Sequence, residues 1–285
     1  MQDSAAVEIR LLCESDIAAA MDLKRLAGWN QTQRDWQTLL QLEPQGCFAA
    51  VLDRQLVGTT TTTSYGSELA WIGMVLVRPE NRRTGIASRL LETALGYLAH
   101  RVSVVKLDAT ADGQQVYERF GFEVESMVER WRRTGERLVT SEAHPEALDP
   151  DAGRQIFELD REVFGANRSQ LLRLLFADSC VRPVITRNQE GRVTGYALAR
   201  SGSDAAYVGP VVSPQQRDAV ELLDRLLAQL HRRAVYVDLN RNWGDGQKLL
   251  IERGFEKQRD LMRMKRGVAN PTSSSVFAIA GPEIG

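Results

Sequence analysis

Neither sign of charge dominates this chain. Its 285 residues carry 36 Lys and Arg against 37 Asp and Glu, a net charge of −1. A general nucleic-acid or membrane-surface role needs a broad basic excess, so neither partner is expected. Cysteine is scarce: Cys13, Cys47 and Cys180 stand alone, with no metal-ligand spacing, and no metal is expected. An odd, scattered set fits a reducing compartment. Cys13 and Cys47 lie in apolar runs and read as core packing, and no histidine pairs with Cys180 in a nucleophile pattern. No apolar run approaches the ~20 residues that cross a bilayer. The start, MQDSAAVEIR, lacks a positive region followed by an apolar stretch. No signal peptide is expected, and the expected location is the cytoplasm.

What is present is the composition of a globular protein, 43% hydrophobic and 26% charged, at a length suited to about two domains. Residues 7–13 read as a strand, 14–28 as a helix capped at Gly28, and 31–44 as a helix stopped by Pro44. CFAAVLD and QLVGTTTTTSYG read as strands on either side of Asp53-Arg54, the β-branched threonines favouring strand. LAWIGMVLV (69–77) is a third strand. A helix follows Gly85, with Ile86, Leu90, Leu91, Ala94, Leu95 and Leu98 on one face. A strand (102–110), a short helix around QQVYERFGF and a strand VESMVERWRR complete the unit.

Residues 134–150 lose periodicity and collect Pro, Glu and Asp. After them the pattern recurs: two helices (151–165 and 167–179), three strands, a helix with Ala219, Leu223, Leu226, Leu227 and Leu230 on one face, the strand AVYVDLN, and a helix ending in KLLIERGF. Leu107-Asp108 in one half matches Val237-Asp238 in the other. This is an internal repeat of two copies of one fold. The expected organisation is a domain at 1–135, a linker at 136–150 and a second domain at 151–285. The fold class is α/β (α+β), each domain a mixed, mostly antiparallel sheet flanked by helices with one parallel crossover. VFAIAGPEIG has strand character and is expected to add an edge strand.

The crossover carries the chemistry. VRPENRRTGIAS leaves the carboxyl end of a strand and enters a helix, where open α/β sheets place ligands. Unpaired N–H groups and the positive end of the helix dipole attract anions there. Gly85 allows a positive-φ turn and close approach of a phosphate, and Arg82 and Arg83 add charge. The plain alternative is a loop that only needs a turn.

The run Val75-Leu76-Val77-Arg78-Pro79-Glu80-Asn81-Arg82-Arg83-Thr84-Gly85-Ile86-Ala87 resembles the acetyl-CoA-binding segment of the GNAT N-acetyltransferases, Arg/Gln-x-x-Gly-x-Gly/Ala after Val-x-Pro. Val116-Tyr117-Glu118-Arg119-Phe120-Gly121-Phe122 resembles that family's helix with a tyrosine near the cofactor sulfur. The likeness is good over residues ~7–133. Residues ~151–266 look like a diverged second copy, and the whole chain looks like bacterial tandem GNAT proteins with AGWNQ near the start, here Ala27 to Gln31.

The resemblance implies direct acetyl transfer from acetyl-CoA to a primary amine on a small molecule or peptide. It implies that the backbone of Val75 and Val77 pairs with the pantetheine arm. The N–H groups of Arg83, Thr84, Gly85, Ile86, Ala87 and Ser88 would hold the pyrophosphate. The thioester would lie where the strands ending at Val77 and Thr110 splay apart, with Tyr117 facing the departing thiolate. A phenol of pKa about 10 is protonated at neutral pH and can donate, so Tyr117 is the expected general acid; the alternative is an aromatic packed under the sheet. The family's strand carboxylate is missing from WIGMV, leaving Glu68 and Asp108 as open candidates for the base. Trp29, Asn30, Gln31 and Trp36 lie where the acceptor is expected, and indole faces attract ammonium; helix-packing aromatics with an Asn-Gln cap are the alternative. In the second copy no glycine occupies the loop PQQRDA, Asp218 sits at the helix start, and Leu250 aligns with Tyr117. One acetyl-CoA per chain is therefore expected. A non-catalytic acyl-CoA-binding or regulatory protein is the other reading. Fusion of two copies favours a monomer.

Overall fold

Asp53 and Arg54 set the first hairpin. Both take left-handed φ (48° and 64°), which matches the right-handed twist of the strands they join. In the computed structural model, which describes residues 6–135, 149–268 and 273–285, these strands are β2 (Phe48–Leu52) and β3 (Gln55–Tyr65). The expected linker, but for its last two residues, lies outside the described residues. β1 (Glu8–Leu11) pairs with β2, and α1 (Ile17–Leu26) and α2 (Gln33–Leu42) lie between them in sequence. Thr32 and Asp35 cap α2 reciprocally, Asp35 Oδ2 accepting from the Thr32 amide at 2.6 Å. β4 (Leu69–Val77) follows, then α3 (Ile86–Leu98), β5 (Val104–Ala109), α4 (Ala111–Arg119) and β6 (Glu123–Arg133).

The second half repeats the order: α5 (Pro150–Phe164), α6 (Ser169–Ala177), β7 (Val184–Arg187), β8 (Val193–Arg200), β9 (Ala206–Val212), α7 (Gln216–Gln229), β10 (Val235–Asn240), α8 (Gly246–Glu252) and β11 (Glu256–Arg266). A short β12 (Val276–Ala278) comes last.

The halves do not close separate sheets. They form one twelve-stranded sheet in the order β1-β2-β3-β4-β5-β11-β6-β10-β12-β9-β8-β7. Each half gives its long final strand to the other: β11 pairs with β5, and β6 with β10. Two matching ion pairs span the exchange. Arg263 of β11 donates to both oxygens of Asp108 on β5 at 2.8 Å, and Arg130 of β6 to both oxygens of Asp238 on β10 at 2.8 and 2.6 Å. All four side chains are buried. Among the described residues only β4–β5 and β9–β10 run parallel.

One face of the sheet carries α3 and α4 over the first half and α7 and α8 over the second, in two separate apolar cores. On the other face a single core joins both halves, with Trp36 and Leu39 of α2 in the same cluster as Leu171 and Leu175 of α6. Two expectations are corrected here. β12 is not an edge strand: it lies inside the sheet, between β10 and β9. Cys13 is exposed, because it opens a surface turn in which the residues after it, Glu14 and Ser15, face solvent; Cys47 is buried. Burial pushes the thiols of Cys47, up to about 12, and Cys180 away from the reactive thiolate.

Candidate active site

β4 and β5 stay paired for only three residues, Leu69 to Trp71 against Val104 to Lys106. Beyond that point they diverge. The divergence begins where β4 is distorted: its register against β3 slips between Thr59–Leu76 and Thr61–Gly73, and Met74 takes φ 49°. An extra residue in one strand bends it away from its neighbour. Thr59 Oγ1 secures the distortion by donating to the Met74 carbonyl at 2.8 Å.

A cleft of about 550 Å³, mouth included, opens in this gap. Gly73, Met74 and Val75 line one wall, Thr110 and Tyr117 the other. At the end of β4 the Arg82 Nε donates to the Val77 carbonyl at 3.1 Å, clipping the loop to the strand. Arg83 (φ 62°) and Gly85 (φ 86°) are both left-handed, and a Cβ at Gly85 meets nothing within 4 Å. Among the described residues no hydrogen bond occupies the amides of residues 83–88; the first helical bond of α3 is Arg89 N–H to Gly85. Six free N–H groups at a helix start make a fitting seat for an anionic group. Ile86 differs from its neighbours in that its side chain is buried in the core, so only its backbone is available.

Tyr117 projects from α4 with its ring edge-on to Phe122, centroids 6.2 Å apart. Burial pushes its hydroxyl up to about 12, and no partner occupies it among the described residues. It stays protonated throughout the working pH range.

Of the acceptor candidates, Trp29 lines the cleft. Asn30 does not. Its amide and carbonyl tie down the second half, bonding Ala205 O at 2.9 Å and the amides of Asp204 and Ala205 at 2.9 and 3.0 Å. Trp36 is fully buried in the joint core, which removes it from the cleft. Asp108 lines the cleft but is held bidentately by Arg263.

Two family models match the chain. One, described as "Acetyltransferase (GNAT) family", matches residues 15–122, and the other, "Acetyltransferase (GNAT) domain", residues 156–278. The chain belongs to the GNAT acetyltransferases. A relative from Bacillus subtilis (strain 168), named "Uncharacterized N-acetyltransferase YitH", is 26% identical over 254 residues, 88% of each chain. A structure titled as a putative acetyltransferase from Pyrococcus horikoshii superimposes with a TM-score of 0.77 at 21% identity, covering 98% of this chain and 96% of that one. A tandem GNAT protein from the clavulanic acid biosynthesis pathway gives a TM-score of 0.63 at 14% identity, covering 93% and 100%. These likenesses establish the fold as that of a tandem GNAT chain.

In the second GNAT half the matching gap is filled. β9 and β10 also pair for three residues and then part, but β12 fills the gap, with Ala278 against Leu239 and Val276 against Val212. Leu250, at the Tyr117 position, is fully buried. At the start of α7 the Ser213 hydroxyl accepts from the Gln215 amide at 3.1 Å, and Asp218 accepts from Thr194.

Gln31, expected beside the acceptor, does line the cleft; two further polar cleft residues, Arg259 and Glu283, escaped the sequence as contributors to the site. Arg259 comes from the exchanged β11. Its Nε and the Oε1 of Gln31 are buried without a partner among the described residues. Glu283 arrives on residues 279–285, which leave β12 and cross into the first half. Tyr65 Oη donates to the Ile284 carbonyl at 2.6 Å, Trp71 Nε1 to Pro282 at 2.9 Å, and Arg168 Nη1 to Gly285 at 2.8 Å. One signal was legible, a glycine in the middle of β4. A glycine inside a strand marks close approach of another backbone, and a Cβ on Gly73 would lie 2.6 Å from the Glu283 carbonyl.

Proposed function

We propose that this chain transfers an acetyl group from acetyl-CoA to a primary amine by direct attack, once per chain, in the first-half cleft. The observation that carries the reading is the gap where β4 and β5 part, lined by Val75, Thr110 and Tyr117, with β4 running on into a loop whose amides from Arg83 to Ser88 are free. The amides and the charge of Arg82 and Arg83 hold the pyrophosphate. Each hydrogen bond to a charged oxygen contributes about 1.5–3 kcal/mol, so three or four give micromolar binding. The edge of β4 beyond Trp71, no longer paired with β5, receives the pantetheine arm as an added strand would be received.

Acetyl-CoA supplies an activated acyl group on a thiol leaving group. Tyr117 donates a hydrogen bond to the departing sulfur. With its phenol pushed up to about 12 it is a weaker acid than a thiol of pKa about 8.5, so its contribution is stabilisation of the thiolate rather than complete proton transfer. Trp29 offers an aromatic face to a cationic acceptor, and the unpartnered Arg259 Nε and Gln31 Oε1 offer one donor and one acceptor for its polar groups. The test is calorimetric titration with acetyl-CoA, followed by amine-dependent thiol release across a panel of primary amines. One site per chain and amine-dependent release support the reading. Binding without release with any amine replaces it with an acyl-CoA-binding role.

A further inference from the structure

An alkyl ammonium of pKa about 10.4 must lose a proton before it can attack a thioester. Two carboxylates line the cleft, Asp108 and Glu283. Asp108 has both oxygens engaged by Arg263 at 2.8 Å. Glu283 is held more lightly. Its Oε2 accepts from Gln31 Nε2 at 2.8 Å, while Oε1 stands 3.8 Å from the nearest Arg200 nitrogen. Arg200 itself is committed to Asp35 of α2 and to the Ala280 carbonyl. Glu283 thus has accepting capacity to spare.

Its placement is built in. Residues 280–285 form a closed turn, Ala280 N–H donating to Gly285 at 3.0 Å and Gly285 N–H to Gly281 at 2.8 Å. Donors from β3, β4, α6's start and β8 anchor this turn, and Gly73 leaves the space in which the Glu283 backbone lies against β4.

We propose that Glu283 is the general base of the first-half cleft, delivered to a β4 that carries no carboxylate by the segment that also fills the second-half cleft. The proposal rests on the acetyltransferase reading above. The first ammonium proton passes to the Glu283 carboxylate and on to solvent. The nitrogen pair forms the C–N bond, and the C–S bond breaks with its electrons on sulfur. The second nitrogen proton balances the thiolate. The products are amide, thiol and one released proton.

Burial raises the affinity of Glu283 for a proton, and Arg200 opposes this; Asp35 works with burial. Arg130, Tyr207 and Tyr65 complete the titratable surroundings from β6, β9 and β3. Arg259 and Asp108 share the cleft. A base with a raised pKa is active above that pKa, so kcat falls as pH drops through a value above the ordinary Glu range.

The test uses the full chain, acetyl-CoA, and the amine from the panel that gives the fastest thiol release. Glu283→Gln is expected to lower kcat about 100-fold or more, to remove the acid limb of the kcat–pH profile, and to leave acetyl-CoA affinity unchanged. Glu283→Asp keeps the limb with an intermediate kcat. Unchanged kcat in Glu283→Gln, or a limb that persists there, overturns the assignment while leaving the acetyltransferase reading intact. An unaltered chain whose kcat has no acid limb overturns it also, whatever the variants do. An unaltered chain that acetylates no amine removes both readings together.

Discussion

β4–β5 and β9–β10 are the same structural event twice: two parallel strands pair for three residues and then part. Backbone groups exposed by the parting need partners. In the second half the chain provides them itself, because β12 enters the gap and takes up Leu239 and Val212. In the first half the gap is open, and the loop beside it keeps six amides free. The difference teaches that the second copy departs from the first in three ways at once: β12 fills its gap, its loop has no glycine, and Leu250 stands where the first half has Tyr117. The segment that fills the second-half gap continues into the first half and lines its open cleft. Closure of one copy and completion of the other are one feature of the chain.

The comparison breaks most severely at the phosphate loop. Gly85→Glu places a carboxylate among the free amides at a position whose φ of 86° disfavours any side chain. We expect acetyl-CoA binding to weaken more than 100-fold by calorimetry with no second site uncovered. Residual binding at half the original affinity would mean the second half contributes a seat after all. Next in size is the paired test at Tyr117 and Leu250. Tyr117→Phe is expected to lower kcat about 10- to 100-fold with acetyl-CoA affinity unchanged, since one hydrogen bond to developing charge is lost. Leu250→Ala, at the matching place, should cost about 2–5 kcal/mol of stability through the cavity it leaves and should not alter acetyl-CoA affinity. Equal kinetic effects from the two would erase the functional contrast between the halves.

Much of the architecture was legible because periodicity reports which face of an element is buried. The strand 69–77 and the helix opening at Ile86 begin where their residues indicate, and the left-handed Gly85 is where the loop needed it. Which strand lies beside which was not legible. A strand's alternation fixes its inner and outer faces but not its neighbour, so nothing in VESMVERWRR says that it pairs with β10 rather than with β5. The matched Asp108 and Asp238, set against the matched Arg263 and Arg130, were the one trace of the exchange. Glu283 was hidden for another reason. It reaches the cleft through a turn held by carbonyls, and backbone bonding leaves no pattern in side chains. Asn30 and Trp36 show the converse: residues close in sequence to the cleft were drawn away, one to hold the second half and one into the joint core.

The exchange itself makes the two halves depend on each other. Arg263→Met and Arg130→Met each strand a buried aspartate and are expected to cost about 3–5 kcal/mol in urea unfolding, by similar amounts because the pairs are equivalent. Unfolding should remain a single transition in both variants, since neither half keeps a complete sheet without the other's strand. Two separated transitions, one per half, would show that the halves are independently stable and that the exchange is energetically idle.

A smaller effect tests where the equivalence ends. Glu129 on β6 is fully buried and gathers Lys257, Gln247 and Arg241 from the second half, together with Trp131. The repeat places Met262 at the matching position of β11, so this tie exists on one side only. Burial opposes ionisation of Glu129, but the four donors outweigh it and hold its carboxyl down at about 2. A carboxyl with a depressed pKa binds its proton more readily in the unfolded chain. Its contribution is complete above the ordinary Glu range and is lost as pH falls from about 4.5 toward 2. Because Arg241 and Lys257 keep exposed ends, solvent screening reduces the effect to about 1–2 kcal/mol. Glu129→Gln should therefore destabilise at pH 7 by that amount and flatten the fall in unfolding midpoint between pH 5 and 3, whereas Met262→Leu should leave the slope as it is. An unaltered slope in Glu129→Gln would show that this one-sided tie does not set the acid sensitivity of the interface between the halves.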